Sequence, residues 1–257
     1  MTAPEARDEG NSDLWHQVFA DGHPLLLKQH RLHRLLPSPP RCRMCLVPFE
    51  GLGGWIMRHR GKARSSRNPH YCAACDGFLN AFPGGAEVTM PILFVDVRQS
   101  TAWAASHKPA EVSARINGFL DRATRTITDH DGFIMAFYGD CVVAVWPPGF
   151  SGPDFARKAV EAARALSAPA PDGVETGTGL HMGPVYIATV QAAKGLFRDV
   201  SIFGIEVNTT ARLAAQARPG EALASTAILA AAGADMTAAR PRVLEGVPSE
   251  VSAASLK

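Results

Sequence analysis

Apolar positions along this chain change period several times, and each change marks an element. From about Leu14 to Leu36, Leu25, Leu26, Leu32, Leu35 and Leu36 stand against Lys28, His30, Arg31, His33 and Arg34. This predicts one amphipathic helix ended by Pro37 and the Pro39-Pro40 pair. The run "PILFVDVRQST" is apolar until Asp96 and polar from Arg98, the mark of a buried strand and its exit. Val112, Ile116, Phe119, Leu120, Ala123 and Ile127 then recur at helical spacing and stop before Asp131-Gly132. Two apolar segments, Phe133 to Tyr138 and Val142 to Trp146, flank a tight Gly139-Asp140-Cys141 turn and predict a β-hairpin.

Beyond the hairpin, Asp154 is placed to cap a helix whose buried stripe is Phe155, Ala159, Val160, Ala163 and Leu166. The segment "VETGTGLHMGPVYIATV" predicts a strand pair, and no helix opens behind its glycines, so they do not form a dinucleotide loop. A last helix turns Val207, Ala211 and Ala214 inward and carries Asn208 and Arg212, four apart, on one face. Strand, helix, hairpin, helix, strand is the order of an α+β domain of ferredoxin-like type.

Composition narrows the class without naming it. The 257 residues are 46% hydrophobic and 19% charged with a net charge of +2, a balance unlike that of a chain dominated by nucleic-acid binding. The polar start "MTAPEARDEGNSD" predicts no secretory signal, and no apolar run is long enough to span a bilayer, so a cytoplasmic protein is expected. The basic helix near the start is expected to pack on its own domain or on a second subunit; a membrane surface is the other reading. Phe82-Pro83-Gly84-Gly85 reads as a boundary. The expected organisation is a helical region over 1–41, a cysteine-bearing segment over 42–83 and a larger domain over 87–257.

Besides Asn208 and Arg212, two groups of residues carry candidate chemistry. Cys42 and Cys45 form one C-x-x-C pair, and Cys72 and Cys75 another. Two such pairs in a cytosolic chain favour a tetrahedral thiolate site for structural Zn²⁺, with an iron-sulfur cluster or a redox dithiol as the other readings. The basic loop between them is read as solvated. Asp96 at a strand end and Asp140 at a hairpin tip, if their strands are neighbours, form a hard-cation site for Mg²⁺ or Mn²⁺ and a phosphate ester. Taken singly, either Asp reads as a turn or helix cap. Cys141, beside Asp140, reads as an inert buried thiol.

From about Glu87 onward the chain resembles the catalytic domain of class III nucleotide cyclases. "LFVDVRQST", "YGDCVVAVW", "GLHMGPVYI" and "GIEVNTTARLAAQARPGE" stand in that family's order and approximate spacing. The cysteine segment and its "PGGAE" junction also resemble the N-terminal part of some bacterial members. The resemblance implies that Asp96, Asp140 and the backbone carbonyl of Val97 hold two Mg²⁺ or Mn²⁺ ions. It implies that Asn208 orients the ribose and that Arg212 stabilises charge at the α-phosphate. It further implies a homodimer, because in that family the aspartates come from one subunit and the Asn/Arg helix from the other.

Departures from the family pattern bear on the substrate. Where purine cyclases usually place a base-reading Lys stands Ala136, and the partnering position, usually Asp or Thr, is Ser201. Tyr138, on the same strand face as Ala136, replaces an aliphatic residue and shortens the base pocket. These three positions resemble the pyrimidine cyclases of the Pycsar type. The implied reaction is UTP, or CTP, to its 3′,5′-cyclic nucleotide and pyrophosphate, the product acting on a separate effector in anti-phage defence. An adenylate cyclase with an altered pocket and a silent cyclase-like binding domain are the alternatives. Glu245 stands where the family often has a triphosphate-contacting Lys, so either other cations hold that group or activity is low.

Overall fold

A computed structural model describes residues 11–37, 40–192 and 197–256; Pro39 and the acidic first ten residues lie outside that set. In chain order the elements are α1 (Ser12–His16), a π-helical turn (Gln17–Asp21), α2 (Pro24–Arg34), α3 (Gly51–His59) and α4 (Ala73–Ala81). Then come β1 (Gly85–Val97), α5 (Ser100–Ala104), α6 (Pro109–Asp129), β2 (Phe133–Tyr138), β3 (Cys141–Val145), α7 (Pro148–Ser151) and α8 (Phe155–Ser167). The chain continues with β4 (Thr176–Ala192), β5 (Phe197–Phe203), α9 (Ile205–Gln216), β6 (Glu221–Ser225), α10 (Thr226–Ala231), β7 (Arg240–Arg242) and β8 (Val251–Leu256). Among the described residues, no helix is long and apolar enough to cross a membrane.

The strands form one sheet in the order β2-β3-β1-β4-β6-β8-β7, with β5 paired to β4. Its β2-β3-β1-β4 portion, with α6 and α8 as the connecting helices, is the expected ferredoxin-like arrangement. The chain divides into two compact units, residues 1–88 with 186–202 and residues 89–185 with 203–257.

The second unit is built on burial of the α6 and α8 stripes. Phe119, Ala123 and Ile127 of α6 and Ala159, Val160, Ala163 and Leu166 of α8 join Leu93, Val95, Trp146 and Leu180 in one apolar cluster. Each large side chain so buried contributes about 1.5–3 kcal/mol. β1 pairs antiparallel with β3 from Ile92↔Val145 to Asp96↔Cys141, so Asp96 reaches the end of its strand beside the hairpin tip. β4 pairs in parallel with β6 through the α9 crossover, which seats α9 against the sheet.

Several local expectations are corrected. The N-terminal helix is broken: Gly22 adopts φ 91° and Pro24 restarts α2, since a left-handed glycine followed by a proline cannot continue a helix. Its faces are also inverted, with His30 and His33 buried and Leu25, Leu32 and Leu35 exposed. "VETGTGLHMGPVYIATV" holds one long strand, β4, which pairs with β1, β6 and β5. The hairpin turn is two residues, Gly139-Asp140, because Tyr138 already pairs with Cys141. Asp154 sits at the start of α8 without a side-chain capping bond and pairs instead with Arg157 at 3.1 Å. On α9 the buried side is Thr209, Thr210, Leu213 and Ala214, while Val207 and Ala211 are only half-buried.

Candidate active site

Asp96 ends β1 and Asp140 occupies the hairpin turn; the register Asp96↔Cys141 makes them neighbours, and the Val97 N–H donates to the Asp140 carbonyl at 3.3 Å. Burial and then the Asp140 charge push the Asp96 carboxyl above its ordinary value, while Arg98 works the other way. Arg98 Nη1 stands 3.6 Å from the Asp96 carboxylate, and its other amino group donates to the Ala214 carbonyl on α9. Two half-buried carboxylates on adjacent strand ends, whose charges oppose each other, are the kind of oxygen donors that hard divalent cations take. The neighbouring Cys141 thiol is pushed up to about 12 by burial and by Asp96 and Asp140, which keeps it protonated and unreactive.

Asn208 and Arg212 lie on the exposed face of α9, one turn apart. Arg212 is about half exposed and meets Glu245 at 3.8 Å. Among the described residues, no hydrogen bond or ion pair joins Asn208 or Arg212 to Asp96 or Asp140. Ala136 and Tyr138 share one face of β2, beyond the bulge between Ile134 and Ala136, and Tyr138 is 65% exposed. Ser201 is half-buried on β5, in the first unit.

A network absent from the sequence reading supports α9. His181 on β4 is buried, with Nε2 at 2.6 Å from the Glu206 carboxylate and Nδ1 at 2.7 Å from Ser225 Oγ. The carboxylate only accepts, so Nε2–H donates to Glu206, and Nδ1 shares its hydrogen bond with the Ser225 hydroxyl. Glu206 precedes Asn208 by two residues. The partners are 25 and 44 residues from His181, separations that no local pattern reports.

The four cysteines of the paired motifs are all buried, and their sulfurs lie within 4.8 Å of one another. Cys45 Sγ is 3.6 Å from Cys72 Sγ, close to the roughly 3.8 Å edge of a tetrahedron with zinc-sulfur bonds. Hydrogen bonds from Cys42 and then Cys45 lower the Cys72 thiol far below its ordinary value, while contacts within the cluster raise Cys45 and Cys75. The knuckle Cys42-Arg-Met-Cys45 is held from behind by α2: His30 Nε2 is 2.6 Å from the Met44 carbonyl and His33 Nδ1 2.6 Å from the Cys45 carbonyl. The donor set and spacing fit a divalent, thiophilic metal.

The fold and these sites define an α+β catalytic domain with a paired-carboxylate centre. The sequence matches the adenylate and guanylate cyclase catalytic domain over residues 86–237, and the chain belongs to that family. It is 30% identical over 154 residues to an uncharacterized protein of Mycobacterium tuberculosis, a match covering 58% of this chain and 28% of that one. It is 27% identical over 161 residues to Adenylate cyclase 1 of Rhizobium meliloti, covering 58% of this chain and 24% of the relative. The matched stretch therefore spans about a quarter of each relative's length. Among solved structures, the guanylyl cyclase Cya2 superposes with a TM-score of 0.60 at 26% identity, covering 67% of this chain and 93% of Cya2.

Proposed function

We propose that this chain is a homodimeric nucleotide cyclase acting on a pyrimidine nucleoside triphosphate, UTP ahead of CTP. The observation that carries the cyclase reading is the pairing of Asp96 with Asp140 at adjacent strand ends in a family whose reaction needs a divalent cation there. Asp96, Asp140 and the Val97 carbonyl would hold Mg²⁺ or Mn²⁺. Such ions supply Lewis acidity at the ribose 3′-hydroxyl and charge at the triphosphate.

The chain's own groups do the rest. Asn208 orients the ribose through its side-chain amide. Arg212 presents a planar guanidinium to the α-phosphoryl oxygens while the 3′-oxygen bonds to the α-phosphorus and the bond to pyrophosphate breaks. One preorganised donor of this kind is worth about 3 kcal/mol in the transition state. The exposure of Asn208 and Arg212, together with their lack of bonds to the aspartates of the same chain, supports a site shared between two subunits.

Base selection rests on Ala136, Tyr138 and Ser201. None can place a charge against a purine edge, and the exposed Tyr138 phenol can close the pocket over a smaller base. The product would then serve a separate effector from the cytoplasm, in the manner of Pycsar defence. A purine reading is the second choice, favoured by the names of the Rhizobium relative and of Cya2. Zn²⁺ on Cys42, Cys45, Cys72 and Cys75 completes the assignment as a structural metal.

The test is incubation of the purified protein with ATP, GTP, CTP and UTP separately, with Mn²⁺, and identification of each product by mass. A cyclic pyrimidine nucleotide that disappears in Asp140→Ala supports the proposal. Cyclic AMP or cyclic GMP overturns the base assignment and keeps the chemistry; no product from any nucleotide overturns both. Metal analysis of the same preparation should return zinc, and iron in its place would replace that assignment.

A further inference from the structure

Residues 186–202, which include most of β5, cluster with the cysteine module and not with the catalytic unit. Side-chain polar contacts between this segment and the cysteine module gather on two residues of β5. The Asp199 carboxylate accepts from Tyr71 Oη at 2.9 Å and lies 3.6 Å from His70 Nδ1 and 3.9 Å from Arg43 Nη1. Beside it, the Arg198 carbonyl accepts from Asn68 Nδ2 at 2.8 Å, and the Arg198 guanidinium donates to the Asn80 carbonyl at 2.8 Å. Burial opposes the charge on Asp199, yet hydrogen bonding from His70, the Val200 N–H and Tyr71 holds its carboxyl below the usual range.

The residues that grip Asp199 are next to the cysteines in sequence. Arg43 follows Cys42; His70 and Tyr71 immediately precede Cys72. The two knuckles are tied by one backbone bond, Arg43 N–H to the His70 carbonyl at 3.0 Å, and by the Cys72 N–H on Cys42 Sγ at 3.3 Å. The four thiols of the two knuckles lie within 4.8 Å of one another. Asp199 stands two residues before Ser201, and β5 passes through Gly204 directly into α9 with Asn208 and Arg212.

We infer that the metal-filled cysteine cluster acts as a clamp on β5, and that Asp199 is the positioning residue through which its occupancy sets Ser201 and the base that is accepted. Because this rests on the cyclase reading for its selectivity arm only, the clamp has a readout of its own. The arrangement places a half-buried acid on β5 whose side-chain partners Arg43, His70 and Tyr71 all stand beside the cysteines.

The experiment uses the full chain, loaded with Zn²⁺ and after treatment with a high-affinity zinc chelator in Mg²⁺ buffer, together with Asp199→Asn and Tyr71→Phe. Zinc content, amide hydrogen exchange of residues 197–203 and kcat/KM for each of the four nucleoside triphosphates are measured. Asp199→Asn is expected to retain one zinc per chain while exchange in 197–203 rises about tenfold, the size expected on losing a charge-assisted hydrogen bond. Zinc removal should raise exchange in the same residues, and the kcat/KM ratio between the two best substrates should fall, through KM more than kcat. Unchanged exchange in 197–203, either on zinc removal or in Asp199→Asn, overturns the clamp. Raised exchange with unaltered selectivity overturns the role of Asp199 in base choice. If no nucleotide is turned over, the cyclase reading fails while the exchange arm still decides the clamp.

Discussion

His181 and Glu206 form a 2.6 Å hydrogen bond from β4 to the first turn of α9, and Ser225 fixes the opposite ring nitrogen at 2.7 Å. The glycine at 183 belongs to the same arrangement, because a Cβ there would come within 2.7 Å of Glu206 Cγ. Helix α9 is therefore held at its N-terminal turn by a polar bond two residues before Asn208. His181→Ala should cost about 2 kcal/mol of stability, the scale of losing a charge-assisted bond and stranding the buried Ser225 hydroxyl. It should lower kcat as well. Urea unfolding and initial rates at saturating Mn²⁺ check both, and the single variant Glu206→Gln, which keeps an acceptor for His181, should retain most of the stability.

Gly179 lets the same helix lie flat on the sheet. A Cβ at this position would be 2.5 Å from the Thr210 carbonyl oxygen and 2.9 Å from Ala214 Cα. Both neighbours are backbone of α9, so no side-chain rotation relieves the clash. Gly179→Ala is expected to destabilise by about 1–3 kcal/mol through overpacking. It should also raise hydrogen exchange in α9 more than in α6. Thermal melting with peptide-resolved exchange measures both.

What the sequence disclosed follows from how local each signal is. Asp96 and Asp140 were legible because each ends a short apolar run, and alternation alone predicts a strand end and a hairpin tip. The C-x-x-C pairs were legible because each knuckle is built within four residues. The His181, Glu206 and Ser225 network and the Asp199 clamp were not, since their members meet across 25 and 44 residues of chain in the first and 128 or more in the second. The N-terminal helix misled for another reason. Its leucines form a stripe, but the side that is covered is the one where His30 and His33 bond the cysteine knuckle, so hydrogen bonding chose the buried face over hydrophobicity. Likewise the β4 segment reads as a strand pair, yet one strand runs through Gly183 and Pro184.

The raised Asp96 carboxyl carries a stability signature. The folded state holds that proton more tightly than the unfolded chain, so its favourable contribution is complete below the unfolded value and is lost as pH rises through the folded one. At pH 7, without a cation, the ionised Asp96 disfavours folding. Asp96→Asn should then raise the melting temperature of the metal-free protein by about 2 °C or more. The wild-type protein should gain stability on adding Mn²⁺, the variant should not, and cyclase activity should vanish in the variant. Differential scanning fluorimetry at pH 5, 7 and 8.5 with and without Mn²⁺ resolves the case. A variant melting below wild type at pH 7 would contradict the assignment.

Glu245 and Arg212 approach to 3.8 Å with the carboxylate almost wholly exposed, a geometry that contributes little to stability. Its consequence is electrostatic. A carboxylate beside the guanidinium assigned to the α-phosphate opposes a triphosphate carrying several negative charges, and it partly neutralises that guanidinium. Glu245→Lys should therefore lower KM for the nucleoside triphosphate by roughly two- to tenfold. The melting temperature should stay essentially unchanged, and the gain should shrink as ionic strength rises, because screening acts on exposed charges. Rates measured from low to high salt separate this from a change in folding. A lowered KM that persists at high salt would place the introduced ammonium in direct contact with the phosphates, and an unchanged KM at low salt would remove Glu245 from any role at the site.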